Sequence, residues 1–395
     1  MRIAFVCGEY PPGPHGGIGT VTQLLARALV RRGHDVRVVG VCAPDYPAPD
    51  HEVDEGVRVW RLRERPETAG WARARVRLFR RVDDWSRAGA VEIVEVPDYA
   101  GPAAGWPRLR VPLVARAHGS VSYFAAELGR PLRSRMLWLE RASLQRADRW
   151  CAVSRYTAER TRTLFGLEGP SAAVLYNAVE LPRLTGLARD AHRVVFAGTL
   201  TVKKGILALA DAWPLVRAVS PAAELHVCGK DMPDESGRST AALLHERLGE
   251  SAGLHIHGHL AREALLRELE TARVAVFPSL AEAFAMAPLE AMACGTATVY
   301  TTRGSGAEVI DDGRTGLLVE PTHAEQLAGA ILRLLTDDRL AARLGAAGRE
   351  HVRARFAIDT VARENEAFYE RCVTDFAHPR HTASAFVARA PADIS

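Results

Sequence analysis

At 395 residues, with 48% hydrophobic and 25% charged side chains, the chain has a globular composition and is too long for one ordinary core. Its formal charge is only +4, so composition gives no argument for nucleic acid as a partner. No apolar run reaches spanning length, and the six scattered cysteines contain no C-x-x-C, which excludes a thiolate metal cage and suits free thiols in a reducing cytoplasm.

Met1 leads directly into an apolar strand, Arg2 to Cys7, rather than into a signal peptide. The loop Gly8 to Gly19 is dense in proline and glycine. A helix then runs from about Thr20 to Arg32, with Val21, Leu24, Leu25, Ala28 and Leu29 on one face, and Gly33 stops it before the strand Val36 to Val39. This is a βαβ unit with a glycine-rich first turn. Gly16 and Gly17 there can bring backbone N–H groups close to a phosphate or an acceptor, although a plain turn is the alternative. The turn lacks G-x-G-x-x-G, which argues against a nicotinamide enzyme.

Val57 to Leu62 alternates like a strand. From Trp71 to Arg87, arginines interleave with Trp71, Val76, Leu78, Phe79, Val82 and Trp85. That pattern fits an amphipathic helix packed on a sheet with its arginine face solvated; a peripheral contact with an anionic membrane is the other option. Val91 to Val96 and Val111 to Ala115 read as buried strands. His118-Gly119-Ser120 follows the second of them, at the edge where α/β sheets bind ligands. A helix through Leu139-Glu140-Arg141 to Ala147-Asp148, a strand Trp150 to Val153 and a helix capped by Ser154 complete the first half, with Asn177 near its close.

After a linker at Leu181 to Asp190 the pattern restarts with strand Val194 to Ala197, loop Gly198 to Gly205 and helix Ile206 to Arg217. Of the chain's three lysines, Lys203 and Lys204 stand in that loop and Lys230 follows the next strand, Leu225 to Cys228. In a chain that uses arginine nearly everywhere else, paired lysines favour compact charges meeting a phosphate. His255, His257 and His259 alternate on strand Leu254 to His257 and its end, but no partner carboxylate is evident, so no metal site is expected. Val274 to Phe277 is a further buried strand. Glu282 and the run Phe284-Ala285-Met286-Ala287 follow it, and Pro288 opens a short helix that carries Glu290 and stops at Gly295. Ala324 to Leu335 and Arg339 to Arg353 read as surface helices.

The run PS-x-x-E-x-F-x-M-x-x-LEAMACG, with glutamates eight apart at Glu282 and Glu290, resembles the donor-site signature of glycosyltransferase family 4. So do Pro11-Pro12, Gly16-Gly17 and Gly33-His34-Asp35-Val36 near the start, Lys204-Gly205, and Arg314 to Val319. The resemblance covers roughly residues 1 to 372. It implies an α/β fold of two Rossmann-like domains facing a cleft (GT-B), and a retaining, cytoplasmic enzyme that uses a nucleotide-diphosphate sugar without a metal or other cofactor. The absence of a D-x-D triplet agrees with that. The implied boundaries are 1–185 for an acceptor-side domain, 190–355 for a donor domain, 356–372 for a helix returning to the first domain, and 373–395 for a flexible tail.

By the same resemblance, Lys204, Gly16-Gly17 and the amides at Ala285 to Ala287 hold the diphosphate, Glu290 binds the ribose, and Glu282 and His118 fix the transferred sugar. Thr199, Lys203, Lys230, Phe284 and Met286 belong to the same donor set. The acceptor is a glycan, a lipid-linked saccharide or a small molecule. Two departures stand out: Thr199 replaces the family's arginine and Ala285 its glycine. They keep open a nucleotide-sugar-binding module, or a GT-B epimerase, with a degenerate donor site.

Overall fold

The computed structural model describes residues 1–64, 70–168, 172–234, 236–249 and 253–378; the expected tail from 379 onward, and the Trp71 side chain, lie outside what is described. The chain forms two compact units, Met1–Tyr176 together with the chain from Ala362, and Asn177–Val361.

The first unit runs β1 (Arg2–Val6), α1 (Gly17–Arg31), β2 (Asp35–Cys42), β3 (His51–Asp54), β4 (Val57–Arg63), α2 (Gly70–Arg87), β5 (Ile93–Pro97), β6 (Leu113–Ala117), α3 (Val121–Glu127), α4 (Ser134–Arg146), β7 (Arg149–Ala152), α5 (Arg155–Phe165) and β8 (Ala173–Val174). Its sheet has the order β3-β4-β2-β1-β5-β6-β7-β8, parallel apart from the β3–β4 hairpin. Central strands such as Ile3–Val6 and Ile93–Val96 are buried along their length, as parallel strands covered on both faces must be. On α2, Ala74, Leu78, Val82 and Trp85 face the core while Arg73, Arg77, Arg80 and Arg87 are exposed, so the apolar stripe is committed to packing.

The second unit runs β9 (Asp190–Ala197), a single 3₁₀ turn (Val202–Lys204), α6 (Ile206–Val219), β10 (Glu224–Cys228), α7 (Thr240–Leu248), β11 (Leu254–Gly258), α8 (Arg262–Thr271), β12 (Ala272–Phe277), α9 (Ala287–Ala293), β13 (Ala297–Thr301), α10 (Gly306–Val309), β14 (Leu317–Val319), α11 (Ala324–Thr336) and α12 (Asp338–Arg355). Its sheet is parallel throughout, in the order β11-β10-β9-β12-β13-β14. The strand order reverses between β9 and β12, and the loops after those two strands open on the crevice there. The stretch read as a linker packs on this unit: Thr185 and Gly186 donate backbone N–H groups to Glu270, and Arg189 reaches the carbonyls of Ala272 and Cys294.

The last helix, α13 (Ile358–Ala377), extends past the expected end at residue 372 into the expected tail, and its final turns have partners, Asp375 with Arg149 and Phe376 with Arg108. Its residues from Ala362 onward belong to the first unit. There the fully buried Arg116 makes a two-pronged bond to Glu95, at 2.8 Å for each prong, and also reaches Asn365 and Tyr369. The Tyr369 hydroxyl donates to Glu95 at 2.7 Å. Removing one charge from such a pair strands the other in a dry core. Glu95→Ala is therefore expected to cost about 3–5 kcal/mol, and Tyr369→Phe only about 1 kcal/mol. Urea unfolding of both variants checks this, and equal losses would contradict the pairing.

Candidate active site

The second unit's site is built where two loops meet. The loop after β9 carries Lys203 and Lys204 and ends at Gly205, whose φ is 75°. A Cβ there would lie 1.7 Å from the Pro278 carbonyl oxygen, so only glycine lets this loop press against the end of β12. The Leu280 N–H donates to the Lys203 carbonyl at 2.8 Å, joining the two loops through the backbone. On the other side Gly304, φ 63°, packs against the backbone of Glu282, where a Cβ would lie 2.3 Å from the Glu282 carbonyl oxygen.

Within this frame the Lys204 ammonium donates to Glu282 Oε1 at 2.6 Å. The Glu282 side chain is buried, whereas Lys204 keeps 28% exposure. Burial opposes ionisation of Glu282. Lys204 and Lys203 outweigh it, with hydrogen bonds from Lys204 and Ser279, and hold the carboxyl below its ordinary range.

Glu290 lies in the first turns of α9, which starts at Ala287 with Pro288 second. Burial pushes its carboxyl up, against the pull of Arg262, whose Nη1 is 3.1 Å from Oε1. Arg262 also approaches Glu180 at 3.7 Å. Asn177 donates from Nδ2 to the Phe284 carbonyl at 3.0 Å, and the Phe284 ring packs on Phe356 with centroids 5.6 Å apart. Met286 precedes α9 as its N-cap without a side-chain cap.

Ala285 sits in this loop with its φ outside the left-handed region, so its methyl group fits without strain where the family has glycine. Thr199 is exposed beside Gly198. Lys230 is exposed after β10, with its carbonyl accepting the Leu200 N–H at 2.9 Å.

Sequence reasoning missed Arg262 and the loop-fixing role of Asn177. Arg262 opens a helix 28 positions before Glu290 with no motif around it. Only the packing of α8 on α9 brings the two together.

The first unit carries Gly16, Gly17 and His118 at the carboxyl edge of its own sheet. Gly16 is the N-cap of α1 and Gly17 its first residue; both are exposed, and Gly17 has open space where a Cβ would stand. The Glu9 carboxylate accepts the Gly19 N–H at 2.8 Å and so already meets one orphan donor of this helix start. His118 follows β6. Burial, aided by repulsion from Arg116, pushes its imidazole down to about 3, so it is neutral at physiological pH.

The His118 backbone N–H donates to Asp98 Oδ1 at 2.9 Å. Burial pushes the Asp98 carboxyl up to about 7, and among the described residues Oδ2 has no partner. Glu140 accepts N–H bonds from Ala100, Val121 and Ser122, fixing the start of α3. A pocket of about 390 Å³ opens at the ends of β1, β2 and β5, with Gly8, Glu9, Glu64, Arg75 and Tyr99 in its walls.

Residues 15–183 match the model of the family described as Glycosyltransferase Family 4, and residues 180–351 that of Glycosyl transferases group 1. The chain belongs to glycosyltransferase family 4. Among its relatives in this family is a glycogen synthase of Mycobacterium tuberculosis, 29% identical over 93% of this chain and 94% of that protein. A phosphatidyl-myo-inositol mannosyltransferase of Mycolicibacterium smegmatis is 28% identical over 89% of each.

Among solved structures, a sucrose-phosphate synthase from Thermosynechococcus elongatus superposes with a TM-score of 0.78 at 22% identity, covering 94% of this chain and 99% of that one. An Anabaena protein in complex with UDP and glucose gives 0.72 at 18% identity, over 94% and 99%. The fold is the GT-B fold of glycosyltransferases. Among the described residues no helix is long and apolar enough to cross a membrane.

The pairing of Lys204 with Glu282 has a pH signature. Because the folded Glu282 carboxyl lies below its unfolded value, the stability it gives is complete above about pH 4.5 and is lost as pH falls through the lowered folded value. Lys204→Ala leaves the buried carboxylate with weaker compensation and should cost about 2 kcal/mol at pH 7. That deficit should shrink towards pH 4 and below, where the variant's Glu282 takes up a proton. Unfolding curves of both proteins across this range test it, and a deficit independent of pH would contradict the pairing.

Proposed function

We propose that the protein transfers a sugar from a nucleoside-diphosphate sugar to a hydroxyl acceptor with retention at the anomeric carbon, and that it needs no metal to do so. The observation that carries this reading is the meeting of Lys204 and Glu282 at 2.6 Å, from loops that follow the neighbouring strands β9 and β12 at the sheet's reversal point. Glu290 stands eight residues further on, in the next helix.

Lys204 has three N–H donors and spends one on Glu282, which leaves donors for a phosphate oxygen. With Lys203 beside it, it would balance the charge that grows on the diphosphate as it leaves. Glu282, kept ionised by the lysines, would accept hydrogen bonds from the sugar's hydroxyls and stabilise positive charge developing at the anomeric carbon. Glu290, held by Arg262 through one oxygen, has the other for the ribose hydroxyls. The amides at Ala285 to Ala287 add donors toward the diphosphate.

The reaction breaks the bond from the anomeric carbon to the phosphate oxygen and forms one to the acceptor oxygen on the same face. The acceptor's proton passes to the departing phosphate, so no dedicated base is required. His118, neutral under working conditions, can donate from one ring nitrogen to a sugar hydroxyl and cannot compete as a cation for the phosphate.

The UDP found with the Anabaena structure makes UDP-sugars the first donors to try. The pocket beside Glu9, Glu64 and Arg75 combines apolar walls with charged groups, which suits an acceptor that is a sugar or carries one. All six cysteines are free and buried, in keeping with our placement of the reaction in the cytoplasm.

Stereochemistry and kinetics test the proposal together. NMR of the product should show the donor's anomeric configuration, with turnover unaffected by chelators. Glu282→Gln should lower kcat by about 10²-fold, equivalent to about 3 kcal/mol of transition-state stabilisation. Glu290→Gln should raise the donor KM more than it lowers kcat, because ribose binding is shared by ground and transition states. An inverted product would overturn the stereochemical reading. Donor binding without turnover on any acceptor or water would favour a binding module.

A further inference from the structure

Away from the donor loops, the β10–β11 edge of the second unit gathers histidines and carboxylates from three elements. Parallel pairing sets His226 of β10 opposite His255 of β11. Glu224 lies two residues before His226 and His257 two after His255, so all four project from one face of the sheet. Glu268 reaches the same cluster from α8. Glu224 Oε2 is 3.5 Å from His226 Nε2 and 3.8 Å from His255 Nε2, and the two rings are 4.6 Å apart.

We propose that Glu224, His226 and His255 form a binding site for one divalent transition-metal ion of the zinc class. One ligand atom from each of the three residues lies within 4.8 Å of the other two. Zinc bonds of roughly 2.0–2.1 Å would set tetrahedral ligand atoms about 3.3 Å apart, so the trio needs to close by only a few tenths of an ångström on its two measured edges. The donor set, two imidazoles and a carboxylate, is one that such ions take. Glu224 and His255 are 43% and 47% exposed, which leaves an entry path and room for water at the fourth position.

The other nitrogen of His226 is already oriented. Its Nδ1 lies 3.0 Å from His257 Nε2 and 3.5 Å from Glu268 Oε2. An outer carboxylate on the far side of a ligating imidazole fixes the ring and its tautomer. A second grouping, His226, His257 and Glu268, shares the same central ring. It is the poorer site, because Arg193 approaches Glu268 at 3.4 Å and would repel a cation there. The ion would tie together two neighbouring strands at the edge of the sheet. It would lie off the loops after β9 and β12 and take no part in transfer.

The test uses the full chain, stripped with a chelator and titrated calorimetrically with zinc chloride, with cobalt(II) absorption as a report on ligand geometry. One ion per chain is expected, with a raised Tm for the loaded protein. His255→Ala and Glu224→Gln change exposed side chains, and circular dichroism checks that each still folds. Each should weaken binding by well over tenfold, His257→Ala by about tenfold through the lost orientation, and His259→Ala not at all. Absence of saturable binding would overturn the proposal. So would zinc binding that both Glu224→Gln and His255→Ala leave unchanged, since that would be adventitious capture by other histidines.

Discussion

The second unit depends on one constraint: β9 and β12, far apart in sequence, are neighbours at the centre of a parallel sheet. Their carboxyl ends deliver two loops to one place, and the approach of Gly205 to Pro278 fixes how closely those loops can lie. Lys204 and Glu282 then face one another because the backbone leaves them little alternative. An ion pair this buried would be a weak contributor to stability on its own, since desolvation cancels much of the attraction. Its value lies in holding a carboxylate ionised and a lysine aimed, where a phosphate and a sugar would need them.

The first unit handles its buried carboxylates differently. Glu95 is matched by Arg116 and Tyr369, and Glu140 is satisfied by three backbone N–H groups, two at the start of α3 and one at Ala100. Both are structural solutions to the cost of burying charge. Asp98 is the exception. It supports the His118 backbone with one oxygen and leaves the other without a partner among the described residues. A carboxyl pushed up to about 7 beside a neutral histidine makes this edge sensitive to pH near neutrality.

Much of this was legible in the sequence because parallel strands buried on both faces read as unbroken apolar runs. Val194 to Ala197 and Val274 to Phe277 are examples; Gly198 marks where the first ends and Pro278-Ser279 where the second does. Elements whose stability comes from their neighbours were not legible. The strand β3, His51–Asp54, is polar and half exposed, and it exists because the Glu55-Gly56 turn, with both residues at positive φ, folds it onto β4. The short helix α3 has only Ser120 and the distant Glu140 to announce it. The run from Glu282 to Glu290 could be picked out from its motif. The partners Arg262 and Asn177 could not, since each meets its motif only through tertiary packing. The histidine cluster shows the same limit. Alternation on β11 was visible, but His226 and Glu224 join it through strand register, which one sequence does not reveal.

The central claim is that Lys204 meets a diphosphate at the junction of the two loops. It is tested most directly by comparing the affinity of a nucleoside with that of its diphosphate, for uridine, guanosine and adenosine in turn, in wild type and Lys204→Ala. Calorimetry should show the diphosphate of the preferred base bound far more tightly than its nucleoside by the wild type. In the variant most of that advantage should be lost while nucleoside affinity is unchanged. Equal affinity for nucleoside and diphosphate in the wild type, or an advantage that survives the loss of Lys204, would contradict it.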